Sequence, residues 1–196
     1  VYMIKVKNIK RMMAYSSIEH MGLVCLGLAA GGVGYYAAIL HIVLHAFVKT
    51  SMFYQFTQFY RVFQNKSIYH CGNYFKYNAA GALVLLFGFI SATAMPPSGL
   101  FVSEFLIFRA LFEAGHVWVL LFVLLLLTII IWAFGKNIFK ILFIPAVSFD
   151  DSHVPKISAW ESLSQYVLLA MAVYLGLNPP AVFMSLINET IMILPH

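Results

Sequence analysis

The sequence predicts an all-α membrane protein, a polytopic helix bundle of about five crossings, one of them discontinuous. Three observations carry that prediction: a lipid-like composition, long apolar runs separated by clusters of charge, and a proline pair that cuts one run in half. Of 196 residues, 62% are hydrophobic and 10% are charged. A soluble domain is about 45–50% apolar and about 25% charged. So few charges cannot cover a water-facing surface, so the bulk solvent is lipid. The net charge of +5 could suggest nucleic acid. In a membrane chain it is explained by basic residues collecting in cytoplasmic loops, and no nucleic-acid partner is expected.

The charge clusters mark the loops. Lys5, Lys7, Lys10 and Arg11 open the chain, and a first span is expected over 12–30. Gly31, Gly32 and Gly34 supply a turn, and a second span covers 35–60. Arg61, Lys66 and Lys76 flank a polar loop, after which apolar sequence runs over 77–114, broken at 96–100 by Pro96-Pro97-Ser98-Gly99. Further spans are expected over 117–138 and 159–177, separated by a loop with Asp150, Asp151, His153 and Lys156. Pro179-Pro180 ends the last span, and 181–194 reads as an interfacial helix. The whole forms one transmembrane domain, 1–196. With no initiator Met and no signal-peptide pattern, the chain is expected to be the C-terminal part of a longer protein.

Topology tests the proline break. With the opening basic cluster inside, the second span returns Arg61, Lys66 and Lys76 to the same side. If 77–95 and 101–114 each crossed fully, Lys136 and Lys140 would fall outside. If they form one broken crossing, both lysines fall inside, as the distribution of positive charge requires. Broken helices are tolerated in a membrane only where protein or a water-filled cavity surrounds the free backbone groups. They recur at ion sites of transporters.

The ionisable residues inside these spans suggest the chemistry. His41, His45 and Lys49 are spaced four apart, which puts them in a row on one helix face, about 6 Å per step. Lys49 falls near the middle of its span, where a charge costs about 2.5–3.5 kcal/mol and is seldom incidental. A lysine in water holds its proton until about pH 10. Burial and a neighbouring carboxylate act on that affinity in opposite senses, so a partner that moves can make it bind and release. Histidine passes protons through its two ring nitrogens, with trapped water bridging the gaps. Glu104 lies early in the helix after the break, where the dipole favours a carboxylate. It is read either as a helix-stabilising charge or as a proton-exchanging group. Glu19 and His20, after Ser16 and Ser17, suggest a polar access route from the cytoplasmic side, or a structural pair with the basic cluster. Arg109 and Glu113, one turn apart, read as a structural ion pair.

Other chemistries find little support. No phosphate loop, nucleophile elbow or zinc spacing occurs, and Cys25 and Cys71 stand alone without a CxxC. His41 and His45 could face a metal, but Lys49 would repel the cation and no carboxylate lies between them. No metal or other cofactor is expected.

Three blocks bear a resemblance. Lys10-Arg11-Met12-Met13-Ala14-Tyr15-Ser16-Ser17, continuing through Glu19-His20-Met21-Gly22, is similar to a segment of antiporter-like membrane subunits. His41-x3-His45-Ala46-x2-Lys49 resembles their charged helix, and Pro96-Pro97-Ser98-Gly99-Leu100-Phe101-Val102-Ser103-Glu104-Phe105 resembles their broken helix. Order and spacing agree over about residues 9–110, and the three together are specific where one alone would be weak. The family includes proton-pumping subunits of respiratory complex I, membrane subunits of energy-converting nickel–iron hydrogenases of the formate hydrogenlyase type, and multisubunit sodium/proton antiporters. The wording around Ser16–Gly22 and Pro96–Phe105 looks nearest to the hydrogenase subunit.

The resemblance implies inverted five-helix repeats, of which this chain holds most of the second plus a final helix. It maps the family's central lysine onto Lys49, its histidines onto His41 and His45, and its broken-helix Lys or Glu onto Glu104. It implies a proton-translocating subunit without a redox centre of its own, in the cell inner membrane, partnered by other membrane and peripheral subunits of an oxidoreductase complex. A cation/proton antiporter subunit and a non-pumping membrane anchor are the alternatives. The first repeat is absent from these residues, so alone they are not expected to complete a transport path.

Overall fold

The structure is a computed structural model and describes residues 2–145, 149 and 154–193. Asp150, Asp151, His153 and Leu194 lie outside the described residues. Among the described residues the ordered elements are helical. They are α1 (Ile9–Ala30), α2 (Val33–Phe63), the single turn α3 (Tyr74–Tyr77), α4 (Ala79–Ala92), α5 (Gly99–Glu113), α6 (Val117–Phe143), α7 (Leu163–Leu177) and α8 (Ala181–Met192).

Local chemistry sets the helix ends. Asn8 accepts from the backbone N–H groups of Lys10 and Arg11, closing the start of α1. Gly31 and Gly32 carry φ of 72° and 54°, a left-handed region that glycine enters at no steric cost, and the chain reverses there into α2. Gly34 is not part of that turn. It lies in α2, and a Cβ on it would strike the Gly27 carbonyl oxygen, so it brings α1 and α2 into close contact. The Asn78 side chain accepts from Gly81 N–H at the start of α4, and Ser98 accepts from Phe101 N–H at the start of α5. Between them, residues 93–98 form the break.

α4 and α5 have 14 and 15 residues, so each rises only about 21–23 Å, short of the about 30 Å hydrocarbon core. They begin and end at opposite ends of the bundle. α4 starts where Asn78 meets Gln58 and Tyr74. α5 ends beside the α1–α2 turn, with Ala110 against Gly34 and Ile107 against Gly27. Together they make one discontinuous crossing. α6 then returns. Lys140 Nζ sits 4.0 Å from the ring centre of Tyr69, and Phe143 packs on Phe75 at 5.2 Å. Lys140 therefore shares an end of the molecule with Lys66 and with Lys7, whose carbonyl accepts from Ile68 N–H, as the charge argument required.

By length and apolarity, α2 and α6 suffice to cross a membrane, and α7 with α8, bent by 71°, would make a third span. α2 is the central helix, its Leu40, Leu44, Val48 and Met52 buried in the core with Leu85, Phe134 and Ile138. α6 is peripheral: only 22% of its apolar window is buried, and Trp118, Phe122, Leu125 and Trp132 point outward, which lipid accommodates and water would not. The helices also extend beyond sequence expectation. α2 begins two residues earlier than 35 and ends at Phe63, and α6 continues to Phe143. Lysine stems in the last turn can lie along apolar surface while the ammonium reaches the headgroups.

Candidate functional site

α1 and α2 run antiparallel, so residues near the start of one face residues near the end of the other. Ser16 therefore meets Lys49, and His20, one turn further along α1, meets His41 and His45. The Lys49 ammonium donates to Ser16 Oγ at 2.8 Å. His20 Nδ1 lies 3.0 Å from His41 Nε2, and His20 Nε2 lies 3.1 Å from the Ala92 carbonyl oxygen. α5 closes the third side: His41 Nδ1 is 2.9 Å from Ser103 Oγ, and Glu104 Oε1 is 3.5 Å from His20 Nδ1. His20, His41 and Ser103 are 0% exposed, Lys49 5% and Glu104 6%, so the charges face protein rather than lipid.

The hydrogen bonds restrict the ring tautomers. A carbonyl oxygen only accepts, so His20 Nε2 carries a hydrogen and its Nδ1 presents a lone pair. The Ser103 hydroxyl has two choices. It can donate to His41 Nδ1, or to the Leu100 carbonyl at 3.0 Å. In the first, His41 Nε2–H donates to His20 Nδ1 and the run is neutral and saturated. In the second, His41 Nδ1–H donates to Ser103, and two ring lone pairs face one another beside Glu104. Rotating one hydroxyl and moving one proton interconverts the two.

The row of His41, His45 and Lys49 is not itself a hydrogen-bonded chain. The His41 and His45 rings stack with centres 6.4 Å apart, and His45 Nε2 is buried without a partner among the described residues. The continuity comes from α1. His20 stands 5.1 Å from the His41 ring and 4.9 Å from the His45 ring, centre to centre. The sequence leaves Glu19 and His20 as an access route or a structural pair with the basic cluster; the structure puts His20 at the centre, between His41 and Glu104. Glu19 shares a cavity of about 20 Å³ with Glu104, beside Ala92 and Thr93, room for a single water. A larger groove of about 190 Å³ between α5 and α6 reaches Glu104 past Thr93 and Thr128.

A family model described as NADH:quinone oxidoreductase/Mrp antiporter, transmembrane, matches residues 2–130. The chain belongs to that family. A hydrogenase-4 component F homolog of Methylacidiphilum infernorum is 31% identical over 109 residues, 55% of this chain and 23% of that protein. NADH-quinone oxidoreductase subunit N 2 of Symbiobacterium thermophilum is 28% identical over 84% of this chain and 32% of its own length. A chain of the Mrp complex from Dietzia superposes with TM-score 0.80 at 15% identity, over 95% of this chain and 42% of that one. A chain of respiratory complex I from Thermus thermophilus gives 0.76 at 21%, over 96% of this chain and 39% of that one. These structures share the fold, and the chain spans between about a quarter and two fifths of the length of these relatives.

Within this antiporter-like fold, all six ionisable residues singled out from the sequence line one region between α1, α2 and α5. Arg109 and Glu113 pair at 2.8 Å on the exposed face of α5, apart from it. Ser103 is not singled out by the sequence reading; its place directly before Glu104 in the helix after the break was the available signal. A second polar cluster was also missed. Gln55 and Gln58 leave α2 further along the helix and meet Tyr74, Asn78 and Ser162. Gln58 Oε1 accepts from Gln55, Asn78 and Ser162, each at 3.1 Å, and Gln58 Nε2 donates to the Glu161 carbonyl at 2.9 Å. Two amides three residues apart inside a membrane helix were the clue.

Proposed function

We propose that this chain moves protons across the membrane as part of a membrane subunit of a respiratory or hydrogenase-type oxidoreductase complex. The observation that carries the reading is the buried run Glu104, His20, His41, Ser103, with Lys49 on Ser16 one turn from His20 along α1 and two turns from His41 along α2. Its members are titratable, close enough to exchange protons, and shielded from lipid. Lys49 hands a proton toward His45 and His20 through trapped water, His20 and His41 exchange it, and Glu104 passes it toward the groove between α5 and α6 as the exit to the far side. The alternative directions of the Ser103 hydroxyl let the wire reset without moving a helix. Redox chemistry belongs to partner subunits, a division that relatives named as a hydrogenase component and quinone oxidoreductase subunits support, and the membrane is the cell inner membrane.

The test is proton pumping by the full-length protein in its complex, reconstituted in liposomes, with assembly measured alongside. Glu104→Gln keeps the shape and removes the titration; it is expected to impair pumping in an assembled complex, with Glu104→Asp retaining part. Normal pumping by the Gln variant would leave Glu104 a structural charge. Sodium-dependent proton exchange without redox turnover would point instead to a cation antiporter. Wild-type pumping in an assembled Lys49→Met complex would leave an anchor.

A further inference from the structure

In one of its two hydrogen-bonding states the site presents three electron-pair donors and no proton among them. His20 Nδ1 is bare because Nε2 serves the Ala92 carbonyl, and His41 Nε2 is bare when Nδ1 serves Ser103, which in turn serves Leu100. Those two nitrogens are 3.0 Å apart, and Glu104 Oε1 is 3.5 Å from the first. Lone pairs and a carboxylate that close, in a medium of low dielectric, repel unless a cation stands among them. A proton meets that need, but so does a metal ion.

We propose that His20, His41 and Glu104 form a binding site for a divalent transition-metal ion, with Zn²⁺ as its best-suited occupant. The three donor atoms lie within 4.8 Å of one another. Tetrahedral zinc with bonds of about 2.0–2.2 Å sets its ligand atoms about 3.3–3.5 Å apart, so closing the set takes rotamer adjustments rather than helix motion. The outer contacts are those of a metal-binding histidine: the second nitrogen of each ring is held, one by a carbonyl and one by a hydroxyl, which fixes tautomer and orientation. Two imidazoles and a carboxylate suit zinc or cobalt, whereas magnesium and calcium want oxygens throughout. The small cavity shared with Glu19 has room on the Glu104 side for a water as fourth ligand, and the groove past Thr93 and Thr128 offers a way in.

The surrounding charges bear on affinity. Lys49 opposes a cation from the α2 side, Glu19 favours it from α1, and the His45 ring, 4.9 Å from His20 centre to centre, is the remaining titratable neighbour. His41 thus finds its metal partner on α1, not four residues away on its own helix.

The full-length protein in detergent, stripped of metal, is titrated with Co²⁺ alone. One equivalent is expected to bind with the intense visible absorption of a tetrahedral ion and to be displaced by Zn²⁺. Glu104→Gln and His41→Gln should each weaken binding at least tenfold, with helicity and gel-filtration behaviour showing that the protein is folded. Glu104→Gln preserves volume and decides the matter if the histidine variant fails to fold. Removing the exposed His70 and His116 should leave the band intact. Absence of a tetrahedral band, a band untouched by Glu104→Gln, or a band lost with His70 and His116 overturns the site. Binding is read without any transport assay, so it stands or falls separately from proton pumping.

Discussion

Two polar clusters leave α2 at different heights and toward different neighbours, and they are built from different chemistry. Toward α1 and α5 the residues are His41, His45 and Lys49, meeting Ser16, His20, Ser103 and Glu104. Toward α3, α4 and α7 they are Ser51, Gln55 and Gln58, meeting Tyr74, Asn78, Ser162 and the backbone of Glu161 and Gln165. The second cluster holds no group that titrates near neutrality. Gln58 both donates and accepts and Gln55 donates to Gln58 and Tyr74, so one helix is tied to three neighbours by neutral hydrogen bonds in a medium where unmet polar groups are costly. Each cluster leaves one buried atom without a partner among the described residues, His45 Nε2 in the first and Gln55 Oε1 in the second, but only in the first do titratable donors have the means to reverse direction. One face is arranged to hold α2 still. The other tolerates the energetic cost of ionisable groups, which in a membrane is a mark of use.

The largest expected effect separates the two faces outright. Lys49→Met in the full-length protein should lower proton pumping to the background of protein-free liposomes, while resistance to unfolding by SDS stays equal or rises, since a buried ammonium no longer needs a polar partner. Lys49→Arg should fail as well, because guanidinium stays protonated at any working pH. An unfolding midpoint that collapsed in Lys49→Met would erase the distinction between the faces.

Gln58→Leu is the converse. It strands the donors of Asn78 and Ser162 and the carbonyl of Glu161, and should cost about 2–3 kcal/mol of stability with pumping per folded complex unchanged. Ser103→Ala sharpens the reading of the first face. Losing the reversible hydroxyl should slow pumping about fivefold, the equivalent of one net hydrogen bond, with little change in stability. A loss as large as that of Lys49→Met would make Ser103 an obligatory carrier rather than a relay that resets the wire.

Cys71 reports on the closure of the neutral end. It is 1% exposed in the loop before α3, and burial pushes its thiol up to about 12. Maleimide labelling at pH 8 should be at least about a hundredfold slower than for a free thiol and should climb about tenfold per pH unit, until Gln58→Leu loosens the loop. The smallest effect is expected at the rim, where Arg61 and Glu161 pair in full view of solvent. Arg61→Ala should leave stability and transport close to wild type, since exposed pairs contribute little.

Much of the fold could be read in advance because lipid leaves the chain few options. Apolar length, charge clusters and the Pro96-Pro97 run imply helices, ends and a break by local rules, and the charge on Lys136 and Lys140 sufficed to choose a single broken crossing. The residue types of the candidate site were legible too, since Lys49, His41, His45 and Glu104 stand out in any apolar context. Their connections were not. A spacing of four along α2 says only that three side chains share a face, and the gap between steps is too long for a hydrogen bond. The Gln55 and Gln58 network was likewise invisible, because amides become an anchor only when partners from α3, α4 and α7 arrive.

The sequence by itself determined that this is a helical membrane chain, that it breaks near Pro96-Pro97, and which of its ionisable residues stand in apolar sequence at a cost the membrane makes conspicuous. Only the tertiary structure decided that His20 rather than His45 bridges to Glu104, that Ser103 directs His41, and that α2 has a second, neutral face. The reason is geometric. Periodicity orders residues along one helix, whereas a hydrogen bond of about 3 Å depends on how close and in what register two helices pack, and small residues such as Gly27 and Gly34 set that register from outside the site.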